Sequence, residues 1–262
     1  MTNHNPPLVH FVGAGPGDPE LLTVKAQRLI READLIIYAG SLVPRTMLDQ
    51  AKSRARIHDS AGLTLKQTHG LIRDAVLSGE FVVRLHTGDP GLYGAVREQV
   101  RLLEAEGIDY AVVPGVTAAM AAAAATRISF TIPETCQTLI LTRMGGLTPV
   151  PERERLRGLA THRAALAVYL SGPNHLEMAR ELLDGGYPSD TMIIAAHRVG
   201  WPEERIERLT LDKLAASEAR THWKRQTVFL VLPGQEQSTS SRLYAPEFEH
   251  GFRDAVDPAT GE

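Results

Sequence analysis

The stretch VVRLHTGDPGLYGA, residues 82–95, changes character halfway along, and it decides how the chain folds. Its first residues, up to His86, are mostly apolar and β-branched, as in a buried strand. Its second half contains Asp89, Pro90 and three glycines. Because glycine has no side chain, a loop of this composition lets the backbone approach another group closely. The stretch therefore predicts a strand followed by a loop that contacts a ligand.

Comparable apolar runs recur along the first half of the chain. Most are bounded by Gly, Asp or Ser, and they predict strands at 8–15, 34–40, 55–60, 81–88 and 109–115. Between them, the segments 21–33 and 63–79 have apolar residues at helical spacing. Strands that alternate with helices are typical of right-handed βαβ units around a parallel sheet. We therefore predict an open parallel α/β domain over 8–126.

A second series of elements follows a connecting segment at 127–136. Strands are predicted at 137–144, 165–171, 191–198 and 226–233, and helical stretches near 152–160, 174–185 and 211–219. One more strand is expected at 204–211, antiparallel if it pairs through a short turn. These elements predict a second α/β domain with a mixed sheet over 137–234. The tail at 235–262 is polar and is expected to hold little fixed structure.

Composition argues against several classes of protein. The 262 residues suffice for two domains, and the net charge of −3 comes without the basic runs of nucleic-acid-binding proteins. The most apolar run, AAMAAAAA at 118–125, is far shorter than the roughly 20 residues that cross a membrane. The N-terminal residues show no signal-peptide pattern. We expect a soluble, cytoplasmic protein without a nucleic-acid or membrane partner.

The sequence indicates neither a disulfide nor a metal site. The single cysteine, Cys136, can form no intrachain disulfide, which fits a reducing compartment. It lies at the entry of a predicted strand, where a free cysteine usually packs in the core. The ten histidines include no His-x-x-x-His pair, so no metal is expected.

The loop VGAGPGDPELLT, residues 12–23, raises the question of a dinucleotide site, because it ends a strand and precedes a helix. The dinucleotide motif has three glycines at G-x-G-x-x-G spacing. Gly13 and Gly15 match, but Asp18 takes the third position and would repel a pyrophosphate. Pro16 also lacks an N–H group. A tight turn in which Asp18 caps the next helix is the simpler interpretation.

Three loops of small residues are predicted at the carboxyl ends of strands in the first sheet, namely 12–23, 87–91 and 113–119. In open α/β sheets ligands bind outside these strand ends. The small residues at these loops, Gly88, Gly91, Gly115, Ala118 and Ala119, would let a flat ligand lie on the backbone. The alanine run is more simply explained by a helix packed on the sheet. Asp89 could accept hydrogen bonds from ligand hydroxyls or from the amides of its own loop.

Four motifs carry a family resemblance. VGAGPGDPELLT, DLIIYAGSLV, RLHTGDPGLYGA and VVPGVTAAM occur in this order and resemble the class III, tetrapyrrole-methylase type of S-adenosylmethionine-dependent methyltransferase, over residues 8–233. The resemblance implies two α/β domains with S-adenosylmethionine in the cleft between them, usually in a homodimer. It also implies a tetrapyrrole substrate and S-adenosylhomocysteine as a product. YAGSLV, TGDPGLYGAVREQ and QTLILTRMGGLTPVPE are most similar to a branch of the family that acts on corrin precursors.

The resemblance also implies which residues contact the cofactor. They are Pro16, Thr87, Gly88, Asp89, Leu92, Thr117, Ala118, Ser171, Ala195 and Ala196. Ser171 stands where relatives such as the uroporphyrinogen methylases carry Met. No catalytic base is assigned, because a sulfonium donor is already activated and an electron-rich ring carbon can attack it directly. Alignment of the two reactants can be worth roughly 7–11 kcal/mol.

A tetrapyrrole brings several carboxylates, so its site needs basic or hydrogen-bonding groups. The candidates in family-like motifs are Tyr38, Arg45, Arg143 and Met144. One arginine–carboxylate pair at about 4 Å gains roughly 4 kcal/mol before desolvation, at an effective dielectric constant near 20. Each arginine could equally lie on a solvated face, Tyr38 could pack on the sheet, and Met144 could fill a core or pocket wall.

Three alternatives remain open from the sequence. The chain could be another class III methylase, acting on uroporphyrinogen III, a different precorrin, a cobalt-containing precorrin, diphthamide or ribosomal RNA. It could be a nicotinamide-dependent oxidoreductase that uses the loop at 12–23. It could also bind a tetrapyrrole without transferring a methyl group.

Overall fold

The computed structural model describes residues 8–218, 223, 225–236, 239–245 and 247–254. Within these residues the chain divides into two compact units. Unit 1 comprises the residues up to Thr126 together with Ala196–Ile206. Unit 2 comprises Arg127–Ala195 and the residues from Glu207 on. The segment Ala196–Ile206 therefore groups with unit 1, although it follows most of unit 2 in the sequence.

Unit 1 contains a five-stranded sheet in the order β3-β2-β4-β1-β5. Every neighbouring pair in it is parallel. Its strands are β1 (Val9–Gly13), β2 (Leu35–Tyr38), β3 (Arg56–Asp59), β4 (Val82–His86) and β5 (Tyr110–Val113). All five residues of β1 are buried, as expected for the centre of a sheet that is covered on both faces. The predicted parallel sheet is confirmed.

Helices cover both faces of this sheet. On one face, α1 (Val24–Glu32) packs through residues such as Ile30. On the other, α2 (Leu65–Leu77) and α3 (Val96–Ala105) pack through residues such as Ile72 and Leu103. Since β1 leads to α1 and β4 leads to α3, the loops after these two adjacent strands leave toward opposite faces. That is the switch point at which open α/β sheets bind ligands.

Two helices of unit 1, α3 and the helix formed by the alanine run, differ in how clearly the sequence indicates them. The alanine run forms α4 (Ala118–Thr126), with four alanines buried. This agrees with a helix packed on the sheet. The helix α3 was not predicted, because VREQVRLLEA places charged residues among the apolar ones and buries only Gln99 and Leu103.

A second five-stranded sheet has the order β6-β7-β10-β8-β9. Its strands are β6 (Leu139–Arg143), β7 (Ala165–Tyr169), β8 (Met192–His197), β9 (Arg205–Thr210) and β10 (Thr227–Leu232). The pair β6–β7 is parallel and the pair β7–β10 is antiparallel, so the predicted mixed sheet is confirmed. The helices α5 (Leu156–Ala160), α6 (His175–Asp184) and α7 (Leu211–Ala215) contribute side chains to a core around Leu166 and Phe229.

The described part of the tail contains local structure that the sequence did not indicate. Arg242–Tyr244 is a 3-10 helix, and His250 and Arg253 form an isolated bridge. Gln235 Nε2 donates to the carbonyl of Ser129 at 3.0 Å. Parts of the predicted tail, including 255–262, lie outside the described residues.

Two smaller expectations concern the core and the membrane. Cys136 is buried, and its Sγ accepts a hydrogen bond from the amide of Ala165 at 3.2 Å, as expected for a packed cysteine. None of the helices in the described residues is both long and apolar enough to span a bilayer.

Candidate functional site

Three glycines bring the loops after β1, β4 and β5 into backbone contact. A Cβ atom on Gly13 would lie 2.6 Å from both the Cα of Gly115 and the carbonyl oxygen of Gly88. A Cβ atom on Gly115 would lie 2.9 Å from the Cα of Gly13. Gly13 and Gly115 are therefore required because protein packs on protein there. This corrects the expectation that Gly115 is small in order to admit a flat ligand.

Gly88 is a glycine for a different reason. Its φ is +60°, in the left-handed region that other residues avoid. A Cβ atom here would meet no protein atom closer than the Cα of Thr117 at 3.7 Å. The neighbouring Thr87 is exposed. Gly88 and Thr117 are both half-buried, so they form a part of the three-loop cluster (the loops after β1, β4 and β5) that a ligand atom can reach from solvent.

Asp89 fixes the distance between the loops after β4 and β5. Its Oδ1 accepts from the amide of Gly91 at 2.7 Å, and its Oδ2 accepts from the amide of Gly115 at 2.9 Å. The amide of Leu92 donates to the carbonyl of Asp89 at 3.2 Å. Of the two roles left open for this carboxylate, the structure supports hydrogen bonding to loop amides. Asp89 thus holds the loops in place and keeps a negative charge at the cluster.

The loop after β4 contains strained backbone. Tyr93 and Ala95 have φ values of +57° and +48°, and Gly94 lies between them. Such left-handed conformations cost about 1–3 kcal/mol each and concentrate at functional sites. A Cβ atom on Gly94 would lie 3.2 Å from Nδ1 of His86, so this loop is also closely packed.

The loop after β1 is joined to the loop after β4 by main-chain hydrogen bonds. The amide of Ala14 donates to the carbonyl of His86 at 2.7 Å. Gly15 and Gly88 exchange two hydrogen bonds, from Gly15 N at 3.2 Å and from Gly88 N at 2.7 Å. A shift of either loop would therefore move the other.

The same loop lacks the features of a pyrophosphate site. The amides of Ala14 and Gly15 are already bonded to protein carbonyls. Asp18 accepts from the amide of Glu20 at 2.9 Å and caps a short 3-10 helix, while α1 begins only at Val24. The N-terminus of α1 is capped by Thr23, whose Oγ1 accepts from the amide of Ala26 at 3.1 Å, so the protein itself already uses an amide that a pyrophosphate would need, which argues against the nicotinamide alternative.

Two basic side chains on β4 lie just before the loop. His86 is 6% exposed, and its Nε2 has no hydrogen-bond partner among the described residues. Burial, and secondarily the charge of Arg84, lowers the pKa of His86 to about 3, so the imidazole is neutral at pH 7. Burial lowers the pKa of Arg84 to about 10, so its guanidinium stays charged. Arg84 donates to Gln99 Oε1 at 3.1 Å and to the carbonyl of Ile37 at 3.2 Å.

In unit 2, Ser171 links the ends of β6 and β7. Its buried Oγ accepts from the amide of Met144 at 3.1 Å and donates to the carbonyl of Tyr169 at 2.7 Å. Leu170, immediately before it, has a φ of +54° and is 67% exposed. Met144 is buried in the core of unit 2. This strand end therefore combines strained backbone with a fixed hydroxyl, as the loop after β4 combines strain with a fixed carboxylate.

Arg143 holds its own loop together. Its Nη1 donates to the carbonyls of Met144 at 3.1 Å and Thr148 at 3.0 Å, and its Nη2 donates to the carbonyl of Pro149 at 2.8 Å. Three of its five donors are thus used within residues 143–149. Its folding role is clear from these bonds, and the remaining donors are what a substrate carboxylate could use.

The other candidates from the sequence occupy varied settings. Ala195 and Ala196 lie in β8 and are both fully buried. Tyr38 ends β2, is half-buried and packs against the core on the α1 face. Arg45 is exposed in the 3-10 helix Arg45–Leu48. Ala118 opens α4 directly after Thr117.

Pro16 is buried, and its carbonyl accepts a hydrogen bond from the indole of Trp201 at 3.1 Å. Trp201 was not selected from the sequence. The signal that could have found it is a tryptophan inside the polar turn RVGWPEER, one of only two tryptophans in the chain. Among the described residues, His, Cys, Asp and Glu side chains form no group of three that could hold a metal ion.

Comparison with known proteins assigns the class. The sequence profile of the family described as Tetrapyrrole (Corrin/Porphyrin) Methylases matches residues 8–215. The chain therefore belongs to the tetrapyrrole methylase family, as its motifs indicated.

Curated relatives are more specific. The chain is 44% identical over 247 residues to a precorrin-4 C(11)-methyltransferase of Pseudomonas aeruginosa, covering 94% of this chain and 98% of the relative. It is 40% identical over 255 residues to a cobalt-precorrin-4 C(11)-methyltransferase of Priestia megaterium, covering 95% and 98%.

Solved structures agree with the fold. An X-ray structure of a cobalamin biosynthetic enzyme, cobalt precorrin-4 methyltransferase CbiF, matches with a TM-score of 0.82 and 41% identity, over 86% of this chain and 94% of that one. A uroporphyrin-III C-methyltransferase of Thermus thermophilus, complexed with S-adenosylhomocysteine, matches with a TM-score of 0.71 and 28% identity, over 86% and 97%.

Proposed function

We propose that this chain transfers the methyl group of S-adenosylmethionine to C11 of precorrin-4, giving precorrin-5, in the synthesis of the corrin ring. The observation that carries the proposal is the 40–44% identity to precorrin-4 and cobalt-precorrin-4 C(11)-methyltransferases along nearly the whole chain. A uroporphyrinogen or ribosomal RNA methylase is less well supported. A uroporphyrinogen-III C-methyltransferase of Paracoccus denitrificans is only 31% identical to this chain, and the sequence has no basic runs.

The three-loop cluster supports S-adenosylmethionine as the cofactor. That molecule has no phosphate, and the cluster offers no phosphate site. It offers backbone at Gly88 and Thr117 that another atom can approach, and the carboxylate of Asp89. A negative charge favours a sulfonium and an ammonium group and disfavours a phosphate. The residues present therefore fit this cofactor.

The chemistry asks little of the protein beyond position. When bound, the cofactor supplies a methyl group on a positively charged sulfur. C11 of the macrocycle would provide the electron pair for the new carbon–carbon bond, the carbon–sulfur bond would break with its pair left on sulfur, and the positive charge gained by the macrocycle would be lost as a proton. The residues of this chain then have to align C11 with the methyl carbon and exclude water. The loops that Asp89 and the Gly15–Gly88 hydrogen bonds hold together would provide this alignment.

The substrate side is proposed to involve Tyr38, Arg45, Arg143 and Met144, as the motifs imply. Arg45 is the most accessible of the cations, since it is exposed. Arg143 keeps donors that its loop does not use. Met144, held through its amide by Ser171, would contribute apolar wall rather than chemistry.

The test has two stages. Calorimetric titration with S-adenosylhomocysteine should show saturable binding, and its absence in several buffers would reject the proposal. Purified precorrin-4 and cobalt-precorrin-4 are then each incubated with S-adenosylmethionine, and mass spectra should show one added methyl group on at least one of them. Uroporphyrinogen III and ribosomal RNA serve as further acceptors in parallel incubations. Methylation of these alone would reject precorrin-4 as the substrate and would leave the assignment to the methylase family unchanged. Binding of pigment without methyl transfer would favour a non-catalytic binding protein.

A glycine pair locates the cofactor contact. Gly88→Ala should weaken S-adenosylhomocysteine binding at least about tenfold, because the added methyl group, which collides with no protein atom, would occupy the space beside Thr117 where the cofactor is proposed to bind. Gly107→Ala is the matched control, since Gly107 has a similar φ of +68° and no atom within 4 Å. Both should lose about 1–2 kcal/mol of stability from the left-handed backbone. Equal binding by the two variants would place the cofactor elsewhere.

The homodimer and the cytoplasmic location remain predictions of the family resemblance. Light scattering coupled to size exclusion measures the mass of the assembly directly. A mass of 28.6 kDa, that of one chain, would contradict the dimer.

A further inference from the structure

The turn between β8 and β9 packs against the loop after β1. The indole Nε1 of Trp201 donates to the carbonyl of Pro16 at 3.1 Å. A Cβ atom on Gly17 would lie 2.6 Å from the same Nε1, and a Cβ atom on Gly200 would lie 2.7 Å from the amide nitrogen of Asp18. Both glycines are thus needed for the two backbones to come this close. All of these residues belong to unit 1.

The turn that carries Trp201 is itself well fixed. The amide of Trp201 donates to the carbonyl of Arg198, and the amide of Glu204 donates to the carbonyl of Trp201, both at 3.0 Å. Glu204 also accepts from the amide of Gly200 at 2.8 Å. The guanidinium of Arg198 lies over the indole ring, 5.2 Å from its centroid, and contacts Glu203 at 3.5 Å. The indole therefore has one orientation, with its N–H group directed at Pro16.

The hydrogen bond to Pro16 bears on the cofactor loop through its neighbours. Gly15, adjacent to Pro16, exchanges two hydrogen bonds with Gly88. Pro16 cannot anchor this loop through its own nitrogen, because proline has no N–H group. The turn between β8 and β9 can therefore hold this loop through the carbonyl of Pro16. The loop then sets the position of Gly88 through the two hydrogen bonds between Gly15 and Gly88.

We propose that Trp201 is a positioning residue for the S-adenosylmethionine site: through Pro16 and Gly15 it holds Gly88 where the cofactor binds. This inference rests on the proposed function, which makes Gly88 a cofactor contact. The role is one of alignment, since Trp201 itself bonds to the loop and not to a reacting atom.

The experiment compares Trp201→Phe with Trp223→Phe. The first keeps an aromatic ring but removes the N–H donor to Pro16. The second alters the chain's other tryptophan, which is buried in unit 2 against His175 and Phe229, and so tests loss of stability alone. Wild-type binding of S-adenosylhomocysteine is measured first, because its absence would reject the proposed function and not the role of Trp201.

Trp201→Phe should raise the dissociation constant of S-adenosylhomocysteine and the KM for S-adenosylmethionine about threefold to tenfold, the range that one net hydrogen bond supports. The kcat at saturating cofactor should stay within about twofold, because no reacting atom loses a contact. Trp223→Phe should bind the cofactor product as the wild type does, even if it unfolds more easily. Equal KM values for wild type and Trp201→Phe, or equal weakening in both variants, would overturn the inference.

A spectroscopic readout provides an independent check. In Trp223→Phe the only indole fluorescence comes from Trp201. Titration with S-adenosylhomocysteine should change this emission with the dissociation constant found by calorimetry, because binding at Gly88 constrains the loop that Trp201 contacts. Saturable binding without any change in emission would contradict the coupling.

Discussion

Acid should destabilise this protein through His86, and the size of the effect follows from its burial. The imidazole has a pKa of about 3 in the folded protein, against 6.5 in an unfolded chain. The unfolded state therefore binds more protons between these two values. Stability that is present above pH 6.5 is lost as the pH falls toward 3.

The magnitude can be worked from these two pKa values. At pH 5 an unfolded histidine of pKa 6.5 is almost fully protonated, while His86 in the folded state is almost fully neutral. Linkage then gives a loss of about 2 kcal/mol in the free energy of unfolding between pH 7 and pH 5. His10 adds to the wild-type slope in the same direction, because burial, followed by Lys25 and Arg28, lowers its pKa as well.

The variant His86→Gln isolates the contribution of His86. Urea unfolding, followed by circular dichroism at pH 7, 6 and 5, gives the free energy of unfolding of both proteins. Whatever the substitution costs at pH 7, the wild type should lose about 2 kcal/mol more than the variant on going to pH 5. Parallel pH curves, within about 0.5 kcal/mol, would show that His86 is solvated or protonated in the folded protein and would refute the reasoning.

Two further substitutions test the three-loop cluster. Gly115→Ala should lower the free energy of unfolding by about 3 kcal/mol and abolish S-adenosylhomocysteine binding, because its methyl group collides with the backbone of Gly13 and Gly88. Gly62→Ala is the control: Gly62 has open space around it, so the free energy of unfolding should change by less than about 0.5 kcal/mol. Equal stability of the two variants in urea would refute the packing argument. Asp89→Asn should cost about 2 kcal/mol and weaken the same binding, because one of its two main-chain hydrogen bonds is lost and the other is no longer to a charge. Asp109→Asn, at an exposed site, is the control, and unchanged calorimetric binding by Asp89→Asn would show that this carboxylate does not set the loop distance.

The sequence predicted most of the first sheet because its signals are local. Apolar β-branched runs form strands, and a segment with at least one glycine after each run forms a loop, so the positions of β1 to β5 along the chain could be predicted, whereas their order in the sheet could not. The helix α3 was missed because its buried side includes Gln99, a polar residue that only the tertiary contact with Arg84 explains.

The part of the site that the sequence did not predict depends on contacts between distant residues. Trp201 and Pro16 are 185 positions apart, and Asp89 and Gly115 are 26 apart. No local pattern shows that Gly13 and Gly115 serve packing while Gly88 is required by its positive φ, since all three are simply glycines after strands. The division of roles appears only when the three loops are placed side by side.

The charges around the three-loop cluster bear on the proposal that it binds a sulfonium and not a phosphate. Asp89 places a carboxylate between the loops after β4 and β5, and its charge is held there by two main-chain amides. His86 precedes the same loop, and burial keeps it neutral at pH 7, so it adds no second positive charge to that of Arg84, whose guanidinium is bonded to Gln99 and to the carbonyl of Ile37. A protonated His86 would oppose a cationic donor bound near Gly88, as like charges at close range do in a medium of low dielectric constant. At the proposed S-adenosylmethionine site, the burial that makes His86 sensitive to acid therefore also keeps one positive charge away from the sulfonium.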